Sequence, residues 1–149
     1  MNNFPEEIAV FLKQNKVATV CFTDEKGAPY CINCFFVFDE SRQLFVFKSS
    51  FGAFHEDFVR DVAAVAGSVL PEKLDPLKIK GMQFIGQTLS ENEVNVMGLS
   101  GLYYQKFPFG RVMPGYIWAL RADFIKFTDN TLGFGTKLNW RRIPATEGV

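Results

Sequence analysis

The sequence predicts a mainly β, α+β domain: a small closed barrel of about six strands with helices at its ends. Three observations predict it. Six strand-like runs follow one another, and most are apolar. Seventeen phenylalanines fall mainly inside those runs, supplying large side chains for a barrel interior. The 149 residues suit one core, with neither an internal repeat nor a linker, so residues 1–149 read as a single domain.

The elements follow in order. Phe4–Leu12 reads as a helix, with Pro5 at its first position and Glu6 and Glu7 in the first turn, where the helix dipole favours them. Ile8, Phe11 and Leu12 form its apolar stripe. Val17–Thr23 is the first strand, and Asp24-Glu25-Lys26-Gly27 a turn. Tyr30–Phe38 is the second strand, apolar on both faces and therefore expected to be buried on both. Asp39–Gln43 connects it to Leu44–Lys48, and the pair reads as a hairpin. Ala53–Asp61 is a short helix, with Phe54, Phe58 and Val62 spaced four apart. Ala63–Leu70 and Lys80–Leu89 are strands on either side of the loop Pro71–Pro76. Gly81 and Gly86 mark bulges or close approaches. Glu91–Phe107 reads as one helix, although Gly98 and Gly101 weaken it. A loop around Pro108, Gly110, Pro114 and Gly115 leads to a long strand, Tyr116–Thr128, with a bend expected near Ala122-Asp123.

Composition excludes several functions. Sixteen basic residues balance sixteen acidic ones, and no basic tract stands out. Nucleic acid and anionic membrane are therefore poor partners. No apolar run approaches the roughly 18–20 residues of a membrane span. One histidine and no cluster of carboxylates at ligand spacing argue against a metal site. Cys21, Cys31 and Cys34 are the cysteines. Cys31-x-x-Cys34 has redox or zinc spacing, but residues three apart on a strand face opposite ways, and no second ligand pair exists. The expectation is buried, reduced thiols. An odd cysteine count and the absence of a secretory pattern point to the cytoplasm.

The segment with the most chemistry is Phe45–Glu56. A strand ends in Lys48-Ser49-Ser50, a glycine turn follows, and a helix opens with His55 in its first turn. A cation, two hydroxyls and free helix N–H groups suit a phosphate. The same residues also read as an ordinary strand-turn-helix with a solvated lysine.

The residue order "GAPYCINCFFVFDESRQLFVFKSS", then "AFHEDF", then "KIKGMQFIGQT", resembles the pyridoxamine-phosphate-oxidase-like split barrels that bind FMN. The stretch "YYQKFPFGRVMPGYIWALRADFIKFTDNTLGFGTKLNW" is similar to a small, functionally uncharacterised bacterial branch of that superfamily. The resemblance covers nearly the whole chain. It implies a six-stranded antiparallel split barrel, a homodimer and FMN at the dimer interface. The second strand then runs its backbone along the flavin ring at Cys31, Ile32 and Asn33. The phosphate falls to Lys48, Ser49, Ser50, Phe54 and His55. The fifth strand contributes Lys80 and Gln83, and Trp118, Trp140 and Arg141 are the candidates for closing the partner's site.

One departure matters. Such proteins commonly carry arginine or lysine where this chain has Phe54. Losing one cation against a near-dianionic phosphate costs about 1–3 kcal/mol, roughly ten- to hundredfold in affinity. A phosphate beside His55 would favour its protonated form and offset part of that loss. The resulting expectation is an FMN-binding flavoprotein, with a nicotinamide-dependent oxidoreductase as its enzymatic form. The alternative is a non-enzymatic split-barrel dimer that takes haem, a deazaflavin or no ligand. Trp118 lies in an alternating strand, where packing is its default role, and Asn33 and Gln83 are polar side chains with structural bonds as their default.

Overall fold

The computed structural model describes residues 3–53, 62–132 and 137–144. The helix expected at Ala53–Asp61 lies almost wholly outside them.

Helix α1 (Glu6–Gln14) follows Pro5 and buries Ile8, Phe11 and Leu12, the stripe the sequence predicts, together with Ala9. Seven strands follow: β1 (Val17–Thr23), β2 (Pro29–Asp39), β3 (Leu44–Ser49), β4 (Ala64–Val69), β5 (Lys80–Thr88), β6 (Tyr116–Asp129) and β7 (Lys137–Arg141). All pair antiparallel, in the order β3-β2-β1-β4-β5-β6-β7, and β3 also pairs with β6. That last pairing closes six strands into a barrel. β6 is long enough for β3 to take Tyr116–Arg121 on one edge while β7 takes Phe124–Thr128 further along it. The architecture is a six-stranded antiparallel split barrel with a seventh strand attached. The elements expected from the sequence end at Thr128, so β7 is an addition to them.

Alternation decides the interior. Val20, Phe22, Phe36, Phe45, Phe47, Phe84, Trp118 and Phe127 point inward and are almost fully buried. Phe45 stacks on Phe84 at 4.6 Å and Phe47 on Trp118 at 4.3 Å. The barrel is filled by its own side chains, so a ligand must lie on its outside. Helix α1 caps this core by packing Phe11 on Phe127.

The expected helix Glu91–Phe107 is two helices, α2 (Glu91–Val96) and α3 (Leu99–Lys106). Gly98 breaks it by taking φ +64°, a left-handed conformation that glycine adopts without steric cost. Ser90 starts α2 with a capping box: its hydroxyl accepts from the Glu93 amide, and the Glu93 carboxylate accepts from the Ser90 amide. Both helices cover the outer face of β3 and β6, where Val94, Leu99 and Tyr103 meet Leu44, Val46 and Ala119. Lys106 fastens the end of α3 to the barrel, donating to the carbonyls of Asn15 at 3.0 Å and Phe36 at 3.1 Å.

The bend expected at Ala122-Asp123 is a bulge. Ile85 opposes Phe124 but Gly86 opposes Ala122, leaving Asp123 as the extra residue. A side chain at Gly86 would strike the Arg121 carbonyl, so the close approach needs glycine.

Candidate functional site

The site begins with a gap in the hydrogen-bond ladder. β2 pairs with β1 along Pro29–Phe35, but on its other side it meets β3 only at Phe36–Asp39. Among the described residues, no strand occupies the second edge of β2 before Phe36. The register says which groups point there. The Phe36 amide donates to the Lys16 carbonyl and the Asp24 amide to the Ala28 carbonyl, so even-numbered residues of β1 are the ones bonded to β2. The main-chain N–H and C=O of Cys31 and Asn33 therefore point away from β1, into the open edge. This is the split of the barrel. It also explains why β2 is not buried on both faces as its sequence suggested: Phe35 is 54% exposed and Tyr30 37%.

Side chains on this stretch divide by alternation. Ile32 and Cys34 turn inward and pack partly against the core. Cys31 and Asn33 turn outward and are exposed. The expectation of buried thiols therefore fails at Cys31, although Cys31 and Cys34 do face opposite ways. Burial pushes the Cys34 thiol up to about 11, partly opposed by its hydrogen bond with Ser49.

Asn33 starts a polar row. It faces Thr19, whose hydroxyl donates to the Asn33 amide oxygen at 2.7 Å. Thr19 pairs with Ser68, Ser68 with Gln83, Gln83 with Lys126, and Lys126 with Asn139. Six polar side chains thus cross the outer face of six strands in one register. Two of them, Asn33 and Gln83, stand among the residues expected from sequence. Thr19, Ser68, Lys126 and Asn139 were missed. The hairpin spacing carried a signal for Thr19, since Thr19 and Asn33 are equidistant from the turn at Lys26. The registers of β4, β5 and β6 leave no such local signal.

The expected phosphate cluster does not stay together. Phe54 and His55 lie outside the described residues. Ser50 is exposed at the end of β3. Ser49 turns the other way and is buried, and its hydroxyl accepts from the Trp118 indole N–H at 2.8 Å. Lys48 serves the fold: its ammonium donates to the Tyr104 hydroxyl at 2.8 Å and to the carbonyls of Gly110 and Met113 at 2.6 Å each. It also sits 4.8 Å from the centre of the Tyr104 ring. All three of its N–H donors are used.

The remaining candidates separate too. Lys80 and Gln83 are three apart on β5 and so face opposite sides. Lys80 turns toward α1, 5.7 Å from the Phe11 ring, and pairs with Asp129 at 3.7 Å. Trp118 is 2% exposed inside its own barrel, so it cannot close a partner's site. Trp140 is likewise buried, edge-on to Phe4 at 5.2 Å, and its indole N–H has no partner among the described residues. Arg141 stays on the surface, over the Phe124 ring at 4.7 Å.

Chemically, the open edge offers alternating main-chain donors and acceptors to a flat heterocycle, beside a polar row with one cation. Among the described residues, no three His, Cys, Asp or Glu are grouped to hold a metal. No helix there is long and apolar enough to cross a membrane.

Known proteins agree with this frame. No protein-family model matches the sequence. A pyridoxamine 5′-phosphate oxidase-related, FMN-binding protein from Nostoc punctiforme superposes with a TM-score of 0.69 at 10% identity, over 99% of this chain and 96% of that one. HutZ, the haem storage protein of Vibrio cholerae, superposes with a TM-score of 0.55 at 18% identity, over 78% and 86%. At such identities the likeness establishes the split-barrel fold. Sequence goes further: a UPF0306 protein of Cronobacter sakazakii is 36% identical over 137 residues, spanning 92% of this chain and 94% of its own. The chain belongs to the UPF0306 protein family.

Proposed function

We propose that this chain is an FMN-binding flavoprotein that holds the flavin ring along the open edge of β2, in a homodimer whose second copy covers that edge. The observation that carries the reading is the unpaired stretch of β2. A flavin's pyrimidine ring presents alternating C=O and N–H groups at its rim. The outward main-chain groups of Cys31 and Asn33 are complementary to such a rim, at the positions the family resemblance implies. Buried polar groups need partners, so an edge that is covered needs a ligand that can bond it.

Each residue then has a definite part. Cys31 and Asn33 bind and orient the ring through the main chain. Thr19 fixes the Asn33 amide. The phosphate falls to Ser50 and, outside the described residues, to His55. Exposed Phe35 and Ile85 give a second copy apolar surface to cover, which would exclude water from the ring. When bound, FMN supplies hydride or single-electron transfer, and reduction by a nicotinamide is the matching enzymatic step. The described residues need only position it.

A fluorescence titration with FMN tests this, using Asn33→Pro against Asn33→Ala. Proline removes the N–H that points into the open edge but no ladder bond to β1, so the fold is retained. Submicromolar binding that is about tenfold weaker in Asn33→Pro than in Asn33→Ala supports the reading. Equal affinity in both refutes it. An absorption spectrum with a haem band instead of a flavin pair directs attention to the haem-binding neighbours. Light scattering that finds only monomer at micromolar concentration removes the homodimer.

A further inference from the structure

Cys21 and Cys31 face each other across β1 and β2. Their sulfurs lie 2.9 Å apart, about 0.9 Å longer than a disulfide bond. They occupy a non-hydrogen-bonded pair, the register that brings opposing Cα atoms to roughly 4.5 Å, inside the range a disulfide spans. Both are free thiols on the outer face. Cys31 is exposed and Cys21 half-buried, and the neighbour of Cys21 on the next strand is the small Ala66. Cys34, the partner the C-x-x-C spacing suggests, is on the opposite face, bonded to Ser49.

We propose that Cys21 and Cys31 form a redox-active dithiol site, oxidised reversibly to a cross-strand disulfide by exchange with a small-molecule disulfide. The exposed Cys31 thiol gives its proton to solvent and attacks one sulfur of the small disulfide. The S–S bond breaks, one small thiolate leaves and takes a proton from solvent, and Cys31 carries the mixed disulfide. Cys21 then loses its proton to solvent and attacks the Cys31 sulfur, expelling the second small thiol. Two protein thiols are oxidised and one small disulfide is reduced to two thiols.

The environment orders these steps. The Cys21 thiol is pushed up to about 11, first by its hydrogen bond to Cys31, then by burial and by charge on Cys31. Once Cys31 is in the mixed disulfide, the bond and charge contributed by Cys31 no longer hold the Cys21 proton, and Cys21 is released for the second attack. An exposed disulfide of this kind is of the readily reduced type. The site shares Cys31 with the flavin edge proposed above but uses its side chain on the outer face, whereas the flavin is assigned its main chain, so the two readings are tested separately.

The test treats the full chain with oxidised glutathione, then blocks free thiols and digests with trypsin. Cleavage at Lys26 separates the Cys21 peptide from the one holding Cys31 and Cys34. Intact wild-type protein should lose the mass of two hydrogens, carry one Cys21–Cys31 link with Cys34 blocked, and return to three thiols with dithiothreitol. Cys21→Ser should keep one glutathione on Cys31, and Cys34→Ser should form the link as wild type does. Three blocked thiols, a stable glutathione adduct on wild type, a Cys31–Cys34 link, or the same pairing yield in urea-unfolded protein would each overturn the proposal.

Discussion

Replacing Lys48 with methionine separates two readings of one residue. Sequence put its ammonium beside a phosphate, whereas the structure spends it on the Tyr104 hydroxyl and the carbonyls of Gly110 and Met113. Methionine keeps most of the apolar stem and removes three charge-assisted bonds. Such bonds are worth about 1.5–3 kcal/mol each when shielded, but Lys48 is half-buried and water competes. About 1 kcal/mol for each is the reasonable figure, so Lys48→Met should lose about 3 kcal/mol. For a domain of this size that lowers Tm by roughly 6–12 °C. Tyr104→Phe removes one of the three bonds and should lose about 1 kcal/mol. Thermal unfolding by circular dichroism reads both, and FMN titration of the folded variant reads the ligand. Lys48→Met with Tm within about 1 °C of wild type, together with a tenfold or greater loss of FMN affinity, would refute the structural role.

Further outcomes follow from packing and charge. Gly67→Ala should cost at least about 2 kcal/mol, read as a lower urea midpoint, because its new methyl would strike the Phe84 ring and the Thr19 carbonyl inside the barrel. Gly101→Ala in α3 meets open space and should stabilise by about 0.5–1 kcal/mol. Acid should destabilise the protein through Asp39 and Asp129. Burial alone would raise both carboxyls, but for Asp39 the Arg42 and Ser41 bonds, and for Asp129 those of Thr131 and the Lys80 charge, hold them below the usual value of 3.8. A depressed folded pKa gives stability that is complete above the unfolded value and lost as pH falls through the folded one. Tm should therefore drop as pH falls below the usual carboxyl value of 3.8, and Asp39→Asn and Asp129→Asn should each flatten that drop.

Much of the fold was legible in the residues themselves. Six of the seven strands and α1 fall within a residue or two of where alternation, turn chemistry and helix-start signals put them. β7 was missed because five residues of alternating polarity, Lys137–Arg141, look like tail until β6 offers an edge. The helix after β5 was read as continuous because Gly98 weighs little in an apolar run, yet one left-handed residue redirects the chain. The site was legible in part. Asn33 and Gln83 were picked as polar residues in strands, but nothing local shows that they share a row with Thr19, Ser68 and Lys126.

Sequence by itself determined the class of fold and the filled interior. Those are matters of period, side-chain volume and turn preference, which act between near neighbours. Tertiary structure alone decided that Lys48 is a fastener, that Trp118 and Trp140 are core, and that Cys31 pairs with Cys21 rather than Cys34. Each depends on which residue lies across a strand pair. Register is set by how the whole sheet closes, and one step of slip would turn every one of those side chains to the other face.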